Sequence, residues 1–316
     1  MYIERYNMVV NPGTCTVSVI IPCRNEEATI GRLISKFHEL FPNFVVIVVD
    51  NNSSDQTAKV AFENGAVVLT EDRPGKGWAV RRGLSSVKSD FYIVVDGDGT
   101  YEIEDTSLML QILQTSKSDM LIGVRREIKS SSSEAYRRGH VLGNRLLSFV
   151  FQRLFLLKIT DTLSGFRIMT DRFVSTFSTN SKGFELETDF NVHAAQLGCG
   201  IIEYPVKYYA RPAGSESKLR TYRDGVKILS RNLTLFHDAR PFLSFALLGF
   251  PWFVLSFILL VNVLRIYFQT GEVLPSLIIS VSSFLVSIQL LVGGLVAERT
   301  GRARQEQVRL FFNQGK

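Results

Sequence analysis

Hydrophobic residues in this chain fall into short runs closed by polar clusters, and the runs alternate with stretches of helical spacing. Val17 to Ile21 is an apolar run closed by Pro22, which predicts a buried strand. Cys23-Arg24-Asn25-Glu26-Glu27 follows, and apolar positions at Ile30, Leu33, Ile34 and Phe37 then predict a helix. Val45 to Val49 predicts a second buried strand, ending in Asp50-Asn51-Asn52-Ser53-Ser54-Asp55, with a helix from Gln56 to Glu63 beyond it. Ala66 to Leu69 reads as a third strand, Gly75-Lys76-Gly77 opens a helix running to Val87, and Phe91 to Val95 is a fourth strand. This alternation predicts an α/β fold, a mostly parallel sheet with helices on both faces. Ligands in such sheets bind beyond the carboxyl ends of the strands. Arg24 to Glu27, Asp50 to Asp55 and Asp96 to Asp98 lie at those ends and are expected to line one crevice.

The pattern changes after Pro241. Tyr222 to His237 mixes apolar residues with Lys227 and Arg231 and reads as an interfacial helix. Phe242 to Phe268 and Ser276 to Ala297 are apolar runs long enough to cross a bilayer core. Arg231 and Arg240 precede the first run, whereas Arg299, Arg302, Arg304 and Arg309 follow the second. By the positive-inside rule both termini and the N-terminal domain are expected in the cytoplasm. The expected organisation is a domain over 1–220, a juxtamembrane helix over 221–241, a hairpin over 242–297 and a basic tail over 298–316. Small residues, Val281 to Ser287 and Gly293-Gly294, offer helix-packing surfaces, including contacts between subunits of a homo-oligomer.

Composition narrows the picture further. The 316 residues are 46% hydrophobic, with the excess in the C-terminal part. The net charge of +6 favours an anionic partner, a phosphate ligand or an acidic membrane surface. No dense basic block interleaved with aromatics occurs, so nucleic acid is not the expected partner. Cys15, Cys23 and Cys199 lack CxxC spacing, which fits a reducing compartment rather than a disulfide framework or a zinc site. The start, MYIERYNMVV, lacks an apolar core of signal length, so no cleaved secretion signal is expected.

The stretch FYIVVDGDGTY, Phe91 to Tyr101, carries the most chemistry. Asp96 and Asp98 follow a buried strand and are separated by one glycine. Two such carboxylates can converge on a hard cation, Mg²⁺ or Mn²⁺, with water or substrate phosphate completing its shell. Asp-Gly pairs also serve as plain turn chemistry, and the stretch alone does not separate the two readings. Lys76 between glycines is not a Walker loop, because the GxxxxGK[ST] spacing is missing.

Taken in order, IPCRNEE, VVDNNSSDQT, RPGKGWAVRRGL and VVDGDGTYE resemble family-2 glycosyltransferases of the nucleotide-sugar-binding, GT-A type fold. The strand Ser118 to Arg125, ITDTLSGFR over Ile159 to Arg167, GFELETDF over Gly183 to Phe190, and YARPAGSESKL ending at Leu219 resemble the branch that glycosylates polyprenyl phosphates. Dolichyl-phosphate mannose synthases and bacterial polyprenyl-phosphate glucosyltransferases are members of that branch. The resemblance implies that Pro22, Arg24, Glu26 and Asp50 hold the nucleoside of a UDP- or GDP-sugar, with Asp50 facing the base. It places Lys76 near the base or diphosphate, and Asp96 and Asp98 on the bridging metal. A glutamine that often follows in mannose synthases is replaced here by Gly99-Thr100-Tyr101, which leaves the third protein ligand open.

The implied acceptor is a dolichyl or undecaprenyl phosphate, and arginine forks suit its phosphate. The candidates are Arg125, Arg137, Arg138, Arg211 and Lys218, with the Arg137/Arg138 doublet unresolved. The second pKa of a phosphate monoester lies at about 6, so its oxygen is anionic without a strong base. Asp161, with Glu185 and Glu187 behind it, is the candidate for positioning or base duty. Val141 to Phe155 reads either as a basic amphipathic helix on a membrane surface or as an ordinary helix covering the sheet. The expected product is a polyprenyl-phospho-sugar with inverted anomeric configuration. The rivals are a processive polysaccharide synthase, which lacks support because no QxxRW motif is present, and a non-catalytic membrane-anchored nucleotide-binding scaffold.

Overall fold

The computed structural model describes residues 15–127, 152, 159–178, 181, 183, 185–210, 230, 232–238, 240–271 and 275–314. The expected helix over Val141 to Phe155 and the acceptor candidates Arg137, Arg138, Arg211 and Lys218 lie outside them, Gln152 excepted. Chain contacts divide the protein into two units, residues 1–231 with 312–316, and residues 232–311.

The first unit follows the predicted alternation. Its elements are β1 (Val17–Cys23), α1 (Glu27–Leu40), β2 (Val45–Asp50), α2 (Thr57–Glu63), β3 (Val67–Thr70), α3 (Lys76–Ser86) and β4 (Phe91–Val94). After α4 (Thr106–Thr115) and β5 (Ser118–Glu127) come β6 (Arg167–Thr170), α5 (Asp171–Thr176), α6 (Leu186–Leu197) and β7 (Gly200–Tyr208). The seven strands form one sheet in the order β3-β2-β1-β4-β6-β5-β7. All neighbours run parallel except at β6, which is antiparallel to both β4 and β5.

Pleating divides the side chains between the two faces. Val17, Val19, Ile21, Val46, Val48 and Ile93 join Ile30, Ile34 and Phe37 of α1 and Met109 and Leu113 of α4 in one core. On the other face α3 lies close enough to β1 that a Cβ on Gly83 would come within 2.4 Å of Ile20 Cγ2. Glycine is therefore what lets that helix seat on the sheet.

Beside β6, α5 and α6 bury His193, whose ring packs edge-on against Phe173 and Phe177 and meets Thr176 Oγ1 at 3.0 Å. Burial pulls its pKa down to about 4. The folded state thus keeps the ring neutral while the unfolded chain takes up a proton below about 6.5. Stability contributed by this site is intact above that pH and is lost as pH falls through the folded value. We expect about 3 kcal/mol of acid sensitivity between pH 6.5 and 4 from this one residue. Thermal unfolding of wild type and His193→Gln across that range measures it, and parallel curves would refute the assignment.

The second unit contains α7 (Pro241–Thr270) and all but the last residues of α8 (Ser276–Gln314). Pro241 starts the first helix, where its missing N–H costs nothing. Each helix holds an apolar window long enough to cross a membrane, of mean hydropathy 2.3 and 2.0, and only 17% and 22% of those windows are buried. That exposure is unlike the mostly buried core helix of a soluble domain and suggests membrane association. Leu247, Leu248, Phe250, Phe257 and Ile258 face outward, whereas Ser280 Oγ donates to the Ser256 carbonyl at 2.9 Å on the inner seam. The expected span ends at Ala297, but the helix continues to Gln314. Apolarity ends there and helical hydrogen bonding does not, with Glu298 and Arg302 pairing one turn apart.

Candidate active site

Register brings the strand-end clusters together. Cys23 is level with Asp50 and Asp50 with Thr70, while Val94 pairs with Ile20, so that Asp96 leaves the sheet beside Pro22. The loops after β1 and β2 brace each other. Ser54 N donates to Asn25 Oδ1 at 2.8 Å, and Glu26 N donates to Thr57 Oγ1 at the same distance. Asn25 and Asn52 take left-handed φ values of 52° and 62°, which asparagine tolerates. Much of the NEE and NNSSDQT polarity therefore builds the crevice wall. Arg24 is exposed, Pro22 is half-buried and Glu26 is buried.

Asp50 is 8% exposed, and its Oδ1 has no hydrogen-bond partner among the described residues. A buried carboxylate oxygen without a donor is costly, and this one can accept a hydrogen bond from a group in the crevice. Its neighbour Asn51 holds the next loop, donating to the carbonyls of Glu71 and Arg73 and accepting from Gly75 N at 2.6 Å. That loop delivers Lys76 to the N-terminus of α3.

Lys76 Nζ sits between two carboxylates, 2.6 Å from Asp96 Oδ1 and 2.5 Å from Glu187 Oε1. Burial opposes its charge, but Asp96 and Glu187 outweigh that and raise its pKa. Glu187 is 4% exposed, and burial pushes its carboxyl up despite Lys76. Its Oε2 has no hydrogen-bond partner among the described residues.

Asp98 is buried, and its Oδ1 accepts from Thr100 Oγ1 at 2.6 Å and from Thr100 N at 3.1 Å. Asp96 Oδ2 lies flat on Gly165, where a Cβ would come within 2.2 Å of it. Among the described residues no group of three His, Cys, Asp or Glu side chains is arranged around a metal position. A Mg²⁺-type site needs only one or two carboxylates when substrate phosphate and water supply the rest. One fixed and one partly open aspartate, cradled by glycine, fit that description.

Asp161 and Arg125 are joined fork to fork, Nε to Oδ2 at 2.8 Å and the terminal nitrogen to Oδ1 at 2.7 Å. Glu203 fixes the Asp161 loop by accepting from Thr160 N at 2.6 Å and Thr160 Oγ1 at 2.9 Å. Arg167 stands behind this loop. It is 1% exposed and donates to the carbonyls of Thr162 and Ser164 and to Asn191 Oδ1. Burial lowers its pKa to about 10, with Glu187 and Asp161 pulling the other way. Its supporting role was missed in the sequence, where only the motif SGFR signalled it. Glu185 is the residue before α6; its side chain makes no cap hydrogen bond, while its carbonyl accepts from Asp189 N at 3.2 Å.

A family model, glycosyl transferase family 2, matches residues 18–176. The chain belongs to that family. This glycosyltransferase is 31% identical over 309 residues to glycosyltransferase AglJ of Haloferax volcanii, covering 94% of this chain and 98% of that one. It is 27% identical over 219 residues to an undecaprenyl-phosphate mannosyltransferase of Micrococcus luteus, covering 64% of this chain and 87% of the other. In fold it is similar to glucosyl-3-phosphoglycerate synthase from Mycobacterium tuberculosis in complex with Mn²⁺ and UDP-glucose. That match has a TM-score of 0.56 and 21% identity, over 70% of this chain and 79% of that one.

Proposed function

We propose that this glycosyltransferase moves a hexose or related sugar from a UDP- or GDP-sugar to a polyprenyl phosphate, with inversion at the anomeric carbon. The supporting observation is one chain that joins a family-2 domain to a hairpin of two outward-facing apolar helices. A water-soluble acceptor would need no such hairpin. The arginine distribution around the hairpin favours both termini and the catalytic domain in the cytoplasm.

In this reading Pro22, Arg24, Glu26 and Asp50 receive the nucleoside, and the unpartnered Asp50 oxygen takes a donor from the base. Asp96 and Asp98 hold Mg²⁺ or Mn²⁺, which when bound supplies positive charge against the departing diphosphate. Lys76 adds a fixed ammonium beside Asp96. An oxygen of the acceptor phosphate attacks the anomeric carbon as the bond to the diphosphate breaks, and the electron pair leaves on the nucleoside diphosphate.

The acceptor oxygen is already anionic, so Asp161 is assigned a positioning role: it aims the Arg125 guanidinium at the phosphate. Arg211, Lys218 and one of Arg137 and Arg138 complete the phosphate set. The deciding experiment offers purified full-length protein a panel of labelled UDP- and GDP-sugars with a short polyprenyl phosphate and Mn²⁺ or Mg²⁺. Label is expected in the organic phase. Transfer only to a water-soluble acceptor would overturn the proposal.

A further inference from the structure

Outside the glycosyltransferase domain, the second unit has an open pocket of about 390 Å³ between the start of α7 and the stretch of α8 just past its apolar run. Two acids and two bases line it, Asp238 and Glu298 with Arg240 and Arg302. Arg302 and Glu298 pair with each other. Neither the Asp238 carboxylate nor the Arg240 guanidinium has an ion-pair or hydrogen-bond partner among the described residues. Phe242 and Leu243 complete the wall and are 37% and 43% exposed, at the point where α7 turns apolar. The pocket thus lies at the end of the hairpin where both apolar runs begin and end, the level at which a bilayer presents its headgroups.

We propose that this pocket binds the headgroup of a membrane phospholipid in which a phosphodiester is linked to a primary ammonium. Arg240 meets the phosphodiester and Asp238 the ammonium, while the acyl chains leave past Phe242 and Leu243 along the helices. The lining is electroneutral, so a purely anionic headgroup meets Asp238 and Glu298 as well as the arginines. A quaternary ammonium has no N–H to donate to Asp238. Only a zwitterion with N–H donors satisfies both unpaired groups together. The site is independent of the transfer reaction and of its acceptor.

The test uses the purified full-length protein in detergent and measures retention of phosphatidylethanolamine, phosphatidylcholine and phosphatidylglycerol by native mass spectrometry. Soluble glycerophosphoethanolamine in a parallel arm reports whether the headgroup alone suffices. Phosphatidylethanolamine is expected to bind about tenfold more tightly than the other two, the worth of one charge-assisted hydrogen bond. Asp238→Asn should erase that preference, and Arg240→Gln should weaken all three lipids by a similar factor. Melting temperature in lipid-free detergent and sugar transfer should stay at wild-type values in both variants. Equal retention of the three lipids, or a preference untouched by Asp238→Asn, would overturn the assignment. So would a phosphatidylglycerol preference that Arg240→Gln removes, because the site would then be one for simple anions.

Discussion

Replacing Lys76 with methionine should destabilise the protein by about 3–5 kcal/mol, the usual cost of removing one partner from a buried ion pair. The loss follows from what remains. Asp96 and the 4%-exposed Glu187 would face the same apolar side chain with no cation between them. Glu187 already pays for burial with a raised pKa and would take up a proton in the variant. The double variant Lys76→Met, Glu187→Gln should therefore recover most of the stability, since the uncompensated charge is gone. It should not recover the binding of nucleotide sugar, if Lys76 also faces the diphosphate. Chemical denaturation gives the first quantity and donor binding by calorimetry the second. Full recovery of both would reduce Lys76 to a structural counter-ion. A single variant as stable as wild type would mean that the bridge is not formed.

How much of this site was legible beforehand depends on the range of each interaction. Asp50, Asp96 and Asp98 were readable because each ends a run of buried β-forming residues, and the parallel alternation puts such ends on one edge. The partner of Lys76 was not readable as a partner. Glu187 lies 111 residues away on α6, and no periodicity within either segment refers to the other. Arg167 was similarly hidden. A buried arginine is intelligible only with its acceptors, and two of these are carbonyls, which every residue type carries. The reversed strand β6 escaped direct reading because RIMT is only four residues long and pairs with β4 and β5 on either side. In the hairpin, hydropathy located both apolar runs but not the end of α8, because a polar sequence can continue a helix that an apolar one began.

Asp98→Ala should lower turnover about 10³-fold, the upper range for losing one group that stabilises developing charge in an active site. The side chain is held ready: it is buried, and one oxygen is locked by the hydroxyl and amide of Thr100. That locking makes a second, graded variant informative. Thr100→Val keeps the carboxylate and its 3.1 Å contact with the amide but removes the 2.6 Å hydrogen bond that helps orient it. Loss of such an orienting partner typically costs about 10–100-fold in metal affinity or activity. The two variants should therefore fall in order, wild type above Thr100→Val above Asp98→Ala, both in turnover and in Mn²⁺ affinity measured by paramagnetic resonance with UDP present. Parallel decline in the two readouts ties Asp98 to the cation. A turnover defect in Asp98→Ala with Mn²⁺ affinity unchanged would leave Asp98 shaping the loop through Thr100, and the metal would have to be held without it.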